Sequence, residues 1–111
     1  MIIDFNDIEE KVVPHFKGGE KEYCVRTHLD SENRIMRGVL HPGASIGYHK
    51  HEQNSEIIYI ISGKGHVLYD DGEEDVEAGQ ITYCPMGHSH SLINNGDEDL
   101  AFLGIVGEHH A

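Results

Sequence analysis

The stretch GYHKHEQNSE, residues 47–56, contains two histidines two residues apart and a glutamate five residues after the second. Residues i and i+2 of a strand project to the same face, so His49 and His51 would point the same way, about 6.6 Å apart along the strand. The loop EQNS would then return the chain and bring Glu56 close to His51. Two imidazoles and a carboxylate suit a divalent transition metal. The alternative is a solvated loop with scattered polar groups. The chain has ten histidines, so two of them can fall at this spacing by chance.

A second stretch, GQITYCPMGHSHSLIN at residues 79–94, carries a further candidate ligand, His90. Together with GASIGYHKHEQNSEIIYIISG at residues 43–63, it resembles the two conserved motifs of the cupin superfamily. All ten fixed positions are filled at the family's spacing: Gly43, His49, His51, Glu56 and Gly63 in the first motif, and Gly79, Pro85, Gly87, His90 and Asn94 in the second.

The resemblance implies a small all-β domain, a double-stranded β-helix or jelly-roll barrel. It also implies one divalent transition metal per chain, held by His49, His51, Glu56 and His90. Three neutral imidazoles and one carboxylate leave two positions of an octahedron open for water or a ligand. Such a site favours Mn, Fe or Ni, with Zn, Co and Cu as alternatives.

The secondary structure that must position these residues is predicted to consist of short strands separated by turns. Residues 1–111 are expected to form a single domain with an N-terminal extension, 1–20, that could hold a short helix capped by Asn6 or Asp7. After it, short apolar runs predict nine strands. They are 22–28, 34–41, 46–51, 56–63, 65–71, 74–78, 80–85, 90–94 and 100–107.

The composition of the chain limits the kinds of partner that we expect the protein to bind. The 111 residues carry a formal net charge of −12, with a sequence pI near 5.1, so the surface should repel nucleic acid and anionic membranes. The N-terminus lacks the features of a signal peptide, and no segment approaches the roughly 20 apolar residues of a membrane span. We therefore expect a cytoplasmic protein with no nucleic-acid or membrane partner. Cys24 and Cys84 form no CxxC pair and are expected to be buried or partly buried thiols.

Other polar side chains could reach the pocket. Arg37 and His41 share one parity of a predicted strand, and could bind an anion or move a proton if that face points inward. His88 lies two residues before His90 and is a candidate for the pocket rim. Ile58, Ile60 and Leu92 are expected to form apolar walls of the pocket. No general acid or base stands out in the sequence. The catalytic residues are therefore left unknown.

The strand that begins at Glu56 is apolar on both faces. If Glu56 points inward, Ile57, Tyr59 and Ile61 face outward and need a cover. The N-terminal segment is one candidate cover. A second copy of the chain is the other, and the resemblance to cupins favours a homodimer.

Two functions are compatible with these features. The first is a metal-dependent enzyme that decarboxylates, oxidises or isomerises a small oxygen-rich metabolite, such as a carboxylic acid or sugar derivative. The second is a non-catalytic module that binds a small molecule or senses a metal. In either case the expected ligand is small and anionic, because the metal is the main positive charge in an acidic protein.

Overall fold

The computed structural model describes residues 1–110, which form two antiparallel sheets and two short 3-10 turns. The strands are β1 Lys11–Pro14, β2 Glu22–Leu29, β3 Asn33–Leu40, β4 Ser45–Lys50, β5 Asn54–Ser62, β6 Lys64–Tyr69, β7 Gly72–Glu77, β8 Ile81–Cys84, β9 Ser89–Ile93 and β10 Leu100–Glu108. The nine strands predicted from the sequence are confirmed as β2 to β10. Their ends differ from the prediction by no more than two residues.

The two sheets have different sizes. Sheet A has the strand order β1-β2-β3-β10-β5-β8, and sheet B has the order β4-β9-β6-β7. Neighbours such as β3 and β10 are far apart in the chain, so the sheets are joined by crossovers, as in a jelly roll. This architecture confirms the predicted all-β jelly-roll fold.

The core lies between the sheets, where alternate residues of each strand point inward. Its largest fully buried apolar side chains are Phe102, Leu40, Ile58, Ile60, Leu92, Leu100 and Val67. Tyr23 stacks on Phe102 with ring centroids 5.8 Å apart. Gly38 provides the space for this pair, because a Cβ at that position would overlap both rings.

The N-terminal segment differs from the predicted helix. It contains a single 3-10 turn, Phe5–Asp7, and its N-cap is Asp4 rather than Asn6 or Asp7. The following residues form β1, which pairs with β2. The two valines of β1 explain the difference, because β-branched residues favour a strand when an edge is available for pairing. No helix within residues 1–110 is long and apolar enough to cross a membrane.

One face of sheet A is apolar and exposed. We call it the outer apolar face, and its members on β5 and β8 are between 40% and 62% exposed: Ile57, Tyr59, Ile61, Ile81 and Tyr83. Cross-strand pairs Ile57–Tyr83 and Tyr59–Ile81 make it continuous. The N-terminal segment leaves these residues open to solvent.

Candidate metal centre

Both sheets contribute to the candidate metal centre. His49 lies on β4 and His90 lies directly opposite it on β9, in sheet B. His51 follows the end of β4, and Glu56 lies on β5 of sheet A. The predicted loop EQNS is shorter in the structure, because β5 already begins at Asn54. The cluster therefore joins the two sheets at one end of the barrel.

A β-bulge in β4 turns His49 toward the interior. Ile46 pairs with Leu92 and His49 pairs with His90, so β4 has one more residue than β9 between these pairs. Side chains alternate between the two faces of a regular strand, so residues three positions apart, such as Ile46 and His49, would face opposite sides of the sheet if β4 had no bulge. The bulge places both on the inner face and leaves Tyr48 exposed.

The four side chains converge on one point. Their ligand atoms all lie within 4.8 Å of one another. The three imidazole centroids form a triangle with sides of 4.9 Å. Oε1 of Glu56 lies 2.9 Å from Nε2 of His90 and 3.3 Å from Nε2 of His51. The structure thus brings together all four residues that the sequence predicted as ligands.

Hydrogen bonds orient two of the rings. Nδ1 of His49 donates to the Gly47 carbonyl oxygen at 2.7 Å, and Nδ1 of His51 donates to Oδ1 of Asn54 at 2.6 Å. The Asn54 amide nitrogen in turn donates to Glu108 at 3.2 Å, which fixes the orientation of the amide. Both histidines therefore present Nε2 toward the centre, as metal-binding histidines do when a second partner holds the other nitrogen.

This arrangement fits a bound cation. Nε2 of His51 and Nε2 of His90 lie 3.0 Å apart, and two unprotonated ring nitrogens at that distance repel unless a proton or cation lies between them. Three imidazoles and one carboxylate form a donor set for a divalent transition metal. The cluster could therefore bind a metal ion.

The pKa values of the cluster reflect its burial and its internal bonds. Burial alone would raise the pKa of Glu56, but hydrogen bonds from His51 and His90 lower it to about 2. Burial lowers the pKa of His49, and the hydrogen bond with Glu56 raises the pKa of His51. Glu56 is therefore an ionised carboxylate at neutral pH, as a metal ligand must be.

A pocket of about 350 Å³ opens onto the cluster. We call it the site pocket. Its lining, besides His49, His51 and Glu56, consists of Phe16, Lys17, Arg34, Met36, Lys50, Glu52, Gln53, Asn54, Val106 and Glu108. The pocket thus combines a short apolar wall with charged groups of both signs.

The prediction that Ile58, Ile60 and Leu92 form the apolar walls of the pocket is wrong. These side chains are 0–2% exposed and belong to the packed core below the cluster. A barrel this narrow is filled by its own side chains, so no lumen extends beneath the site. The apolar wall is formed instead by Phe16, Met36 and Val106.

The other predicted pocket residues also lie elsewhere. Met36, Gly38 and Leu40 are the inward residues of β3, so Arg37 and His41 face away from the barrel interior. Nδ1 of His41 bonds to Asp99 at 2.7 Å.

His88 is likewise outside the site pocket. Its Nδ1 bonds to Asp70 at 2.6 Å, whereas its backbone carbonyl accepts a hydrogen bond from the His51 amide at 2.9 Å. His88 therefore supports the position of His51 through its backbone, and its side chain is not at the pocket rim.

Four residues near the site were not identified from the sequence. Asn54 orients His51, Gly47 accepts the bond from His49, and Lys17 and Arg34 line the site pocket. A single polar residue in a loop or a basic residue on a strand carries no distinctive sequence signal. Their roles follow only from the packing of distant segments.

Asn94 of the second motif has a structural role. It is fully buried, and its amide nitrogen donates to the carbonyl oxygens of Leu40 at 2.7 Å and Glu98 at 2.8 Å. Its Oδ1 accepts from the Gly96 amide at 3.0 Å. It thus ties the turn after β9 to the end of β3.

Comparison with protein families places the chain in a known class. Residues 36–106 match the family model described as the cupin domain. The chain belongs to the cupin family.

A relative of nearly the same length is the oxalate-binding protein of Thermotoga maritima. It is 34% identical over 113 residues, which cover 96% of this chain and 93% of that protein. A crystal structure of a predicted oxalate decarboxylase from Thermotoga maritima superposes with a TM-score of 0.91 at 31% identity, and covers 97% of this chain and 99% of the other.

A more distant structure shares the fold alone. It is a cupin sugar phosphate isomerase from Silicibacter pomeroyi, with a TM-score of 0.80 at 20% identity. The match covers 97% of this chain and 76% of that one.

Proposed function

We propose that this protein binds one divalent transition metal through His49, His51, Glu56 and His90, and binds a small carboxylic acid such as oxalate at that metal. The observation that carries the proposal is the convergence of four ligand atoms within 4.8 Å beside an open pocket. The name of the Thermotoga relative, an oxalate-binding protein, supports an acid as the ligand.

The chemistry of the donor set supports the same assignment. A metal bound by four protein ligands retains open positions, where it would act as a Lewis acid toward the oxygens of a carboxylate. The chain is strongly acidic overall, so an anion is attracted to the site only by local positive charge. Around that charge, Phe16, Met36 and Val106 exclude water from one side of the pocket.

Turnover of the acid is the second candidate, as decarboxylation or oxidation. Glu52 and Glu108 line the same pocket as the metal ligands, and a carboxylate near a bound acid is able to transfer a proton. The predicted oxalate decarboxylase among the similar structures supports this candidate.

One experiment tests binding and turnover in sequence. The purified protein is stripped, reloaded with Mn, Fe or Ni, and titrated with oxalate by calorimetry, with the apo protein as control. We expect saturable binding only in the metal-loaded form. Formate and CO2 are then measured after incubation with oxalate, since their release distinguishes turnover from binding alone. Equal binding of a neutral ligand to both forms would contradict the metal as the anchor.

We also propose that two copies of the chain pair through the outer apolar face, and that the protein is cytoplasmic. Exposed contiguous apolar patches on a small domain favour association.

A further inference from the structure

Arg34 and Glu56 lie in one row across sheet A. Arg34 of β3 pairs with Val106 of β10, and Val106 pairs with Glu56 of β5. Residues directly opposite each other project to the same face, and all three line the site pocket. Because neighbouring strands lie about 4.8 Å apart, the backbones of Arg34 and Glu56 are roughly 10 Å apart.

Lys17 reaches the same pocket from a loop held in an unusual conformation. Its φ is 55°, in the left-handed region that costs energy for a side chain other than glycine. The loop packs so tightly on β4 that a Cβ at Gly47 would overlap the Lys17 carbonyl oxygen. Nζ of Lys17 lies 5.6 Å from the centre of the Phe16 ring. The strained backbone is therefore fixed next to the His49 strand.

Neither cation is neutralised by a neighbour. Among residues 1–110, every ion pair within 4.0 Å involves a histidine, so Lys17 and Arg34 form none. Three acids also line the pocket: Glu108 accepts a hydrogen bond from Asn54, Glu56 faces the histidines, and Glu52 forms no ion pair with Lys17 or Arg34. With Lys50, the pocket therefore contains three cations that have no ion-pair partner within residues 1–110, and in a chain of net charge −12 these favour a local site for an anion.

The pocket is larger than oxalate requires. Its volume of about 350 Å³ equals that of roughly a dozen waters, whereas oxalate is two directly joined carboxylates. At Phe16, Arg34 and Met36 the pocket also meets a second groove of about 440 Å³ along β1 and β2. Arg34 therefore lies at the end of the pocket away from the candidate metal ligands. The space between Arg34 and those ligands can hold a ligand longer than oxalate.

We propose that Arg34, assisted by Lys17, binds the second acidic group of a diacid whose other end is held at the His49–His51–Glu56–His90 cluster. The short carbon chain between the two acidic groups would cross Val106. This inference rests on the proposed function and refines it, because it assigns a diacid longer than oxalate as the ligand. A guanidinium suits this role, since it binds a carboxylate through two parallel hydrogen bonds.

A matched pair of ligands tests the proposal. 2-Hydroxyglutarate and 2-hydroxyvalerate carry the same chelating end and the same chain length, and differ only in a terminal carboxylate or methyl group. Affinities are measured by calorimetry on Mn-loaded protein. We expect the diacid to bind roughly tenfold tighter or more, because a hydrogen bond to a charged group contributes that much. The preference should weaken as salt concentration rises.

Single-residue variants test which side chains produce the preference for the diacid. Arg34→Gln should abolish the preference for the diacid while leaving metal content unchanged, Arg34→Lys should restore part of the preference, and Lys17→Gln should reduce it. Lys64→Gln is the control. Glu56 lies near the start of β5, whereas Lys64 follows the far end of that strand, where β6 begins.

Two outcomes would overturn the inference while the proposed function stands: no diacid preference in the native protein, or a preference that survives Arg34→Gln. Failure of every acid, including oxalate, to bind the loaded native protein would instead overturn the proposed function itself.

Discussion

His51 and Asn54 are joined by a hydrogen bond of 2.6 Å that leaves Nε2 of His51 directed at the candidate metal centre. Asn54 is therefore a positioning residue for a candidate ligand three positions before it in the chain. Loss of such a partner typically lowers metal affinity by about 10- to 100-fold.

Asn54→Ala should weaken metal binding within that range, as measured by competition with a chelator. Asn54→Asp keeps an acceptor for Nδ1 and should retain more affinity. Gln53→Ala, at the adjacent position, is the control. Unchanged affinity in Asn54→Ala would mean that the hydrogen bond does not position His51.

Removal of a ligand should empty the site and leave the barrel folded. His51→Ala and His90→Ala each remove one of four donors, and the core lies below the cluster. We expect metal content, measured by elemental analysis, to fall from near one per chain to a small fraction. Circular dichroism should remain that of the native protein. Full occupancy in both variants would refute the four-ligand site.

Gly47→Ala should destabilise the protein. Its Cβ would overlap the backbone of Lys17 and lie 2.8 Å from the Gly19 nitrogen, and a backbone cannot move aside as a flexible side chain does. Overpacking of this kind costs about 1–3 kcal/mol. In thermal unfolding, each kcal/mol corresponds to roughly 4–8 °C for a domain of this size.

Gly72→Ala is the matched control for that substitution, because no atom lies within 4 Å of its added Cβ. Its melting temperature should stay close to that of the native protein. Equal melting temperatures for the two variants would show that the Lys17 loop yields easily.

Tyr59→Lys should disrupt the proposed dimer. A charge at the centre of the outer apolar face opposes burial of that face against a second copy. Light scattering should give twice the chain mass of 12.4 kDa for the native protein and a single mass for the variant. Tyr48→Lys changes a tyrosine of similar exposure on sheet B and should remain dimeric. A native monomer at micromolar concentration would refute the pairing.

Cys84 should be unreactive in the folded protein. It is 1% exposed, and burial raises the pKa of its thiol to about 11, so little thiolate exists at pH 8. A Cys24→Ser variant isolates Cys84 for alkylation with iodoacetamide. Modification should be slow in the native state and fast in urea. Equal rates in the two states would contradict the buried position.

The sequence was sufficient to predict the strands and the four side chains that converge in the candidate metal centre. Strand alternation and turn residues are local, so β2 to β10 could be identified from short stretches of chain. The four candidate ligands fall at the spacing of two recognisable motifs, and the structure brings their ligand atoms together. The short helix predicted in the N-terminal extension, 1–20, was wrong except for one 3-10 turn, because β1 forms only when β2 offers an edge.

The pocket, by contrast, was decided by the tertiary structure. Which parity of β3 faces inward depends on its register with β2 and β10, and that register turned Arg37 and His41 outward and Arg34 inward. A one-residue bulge set the direction of His49. A single residue of register reverses the face of every side chain in a strand, so these assignments depend on pairing between segments far apart in the chain. The motifs alone determined which residues could hold a metal, whereas the packing of the sheets determined what lies beside it.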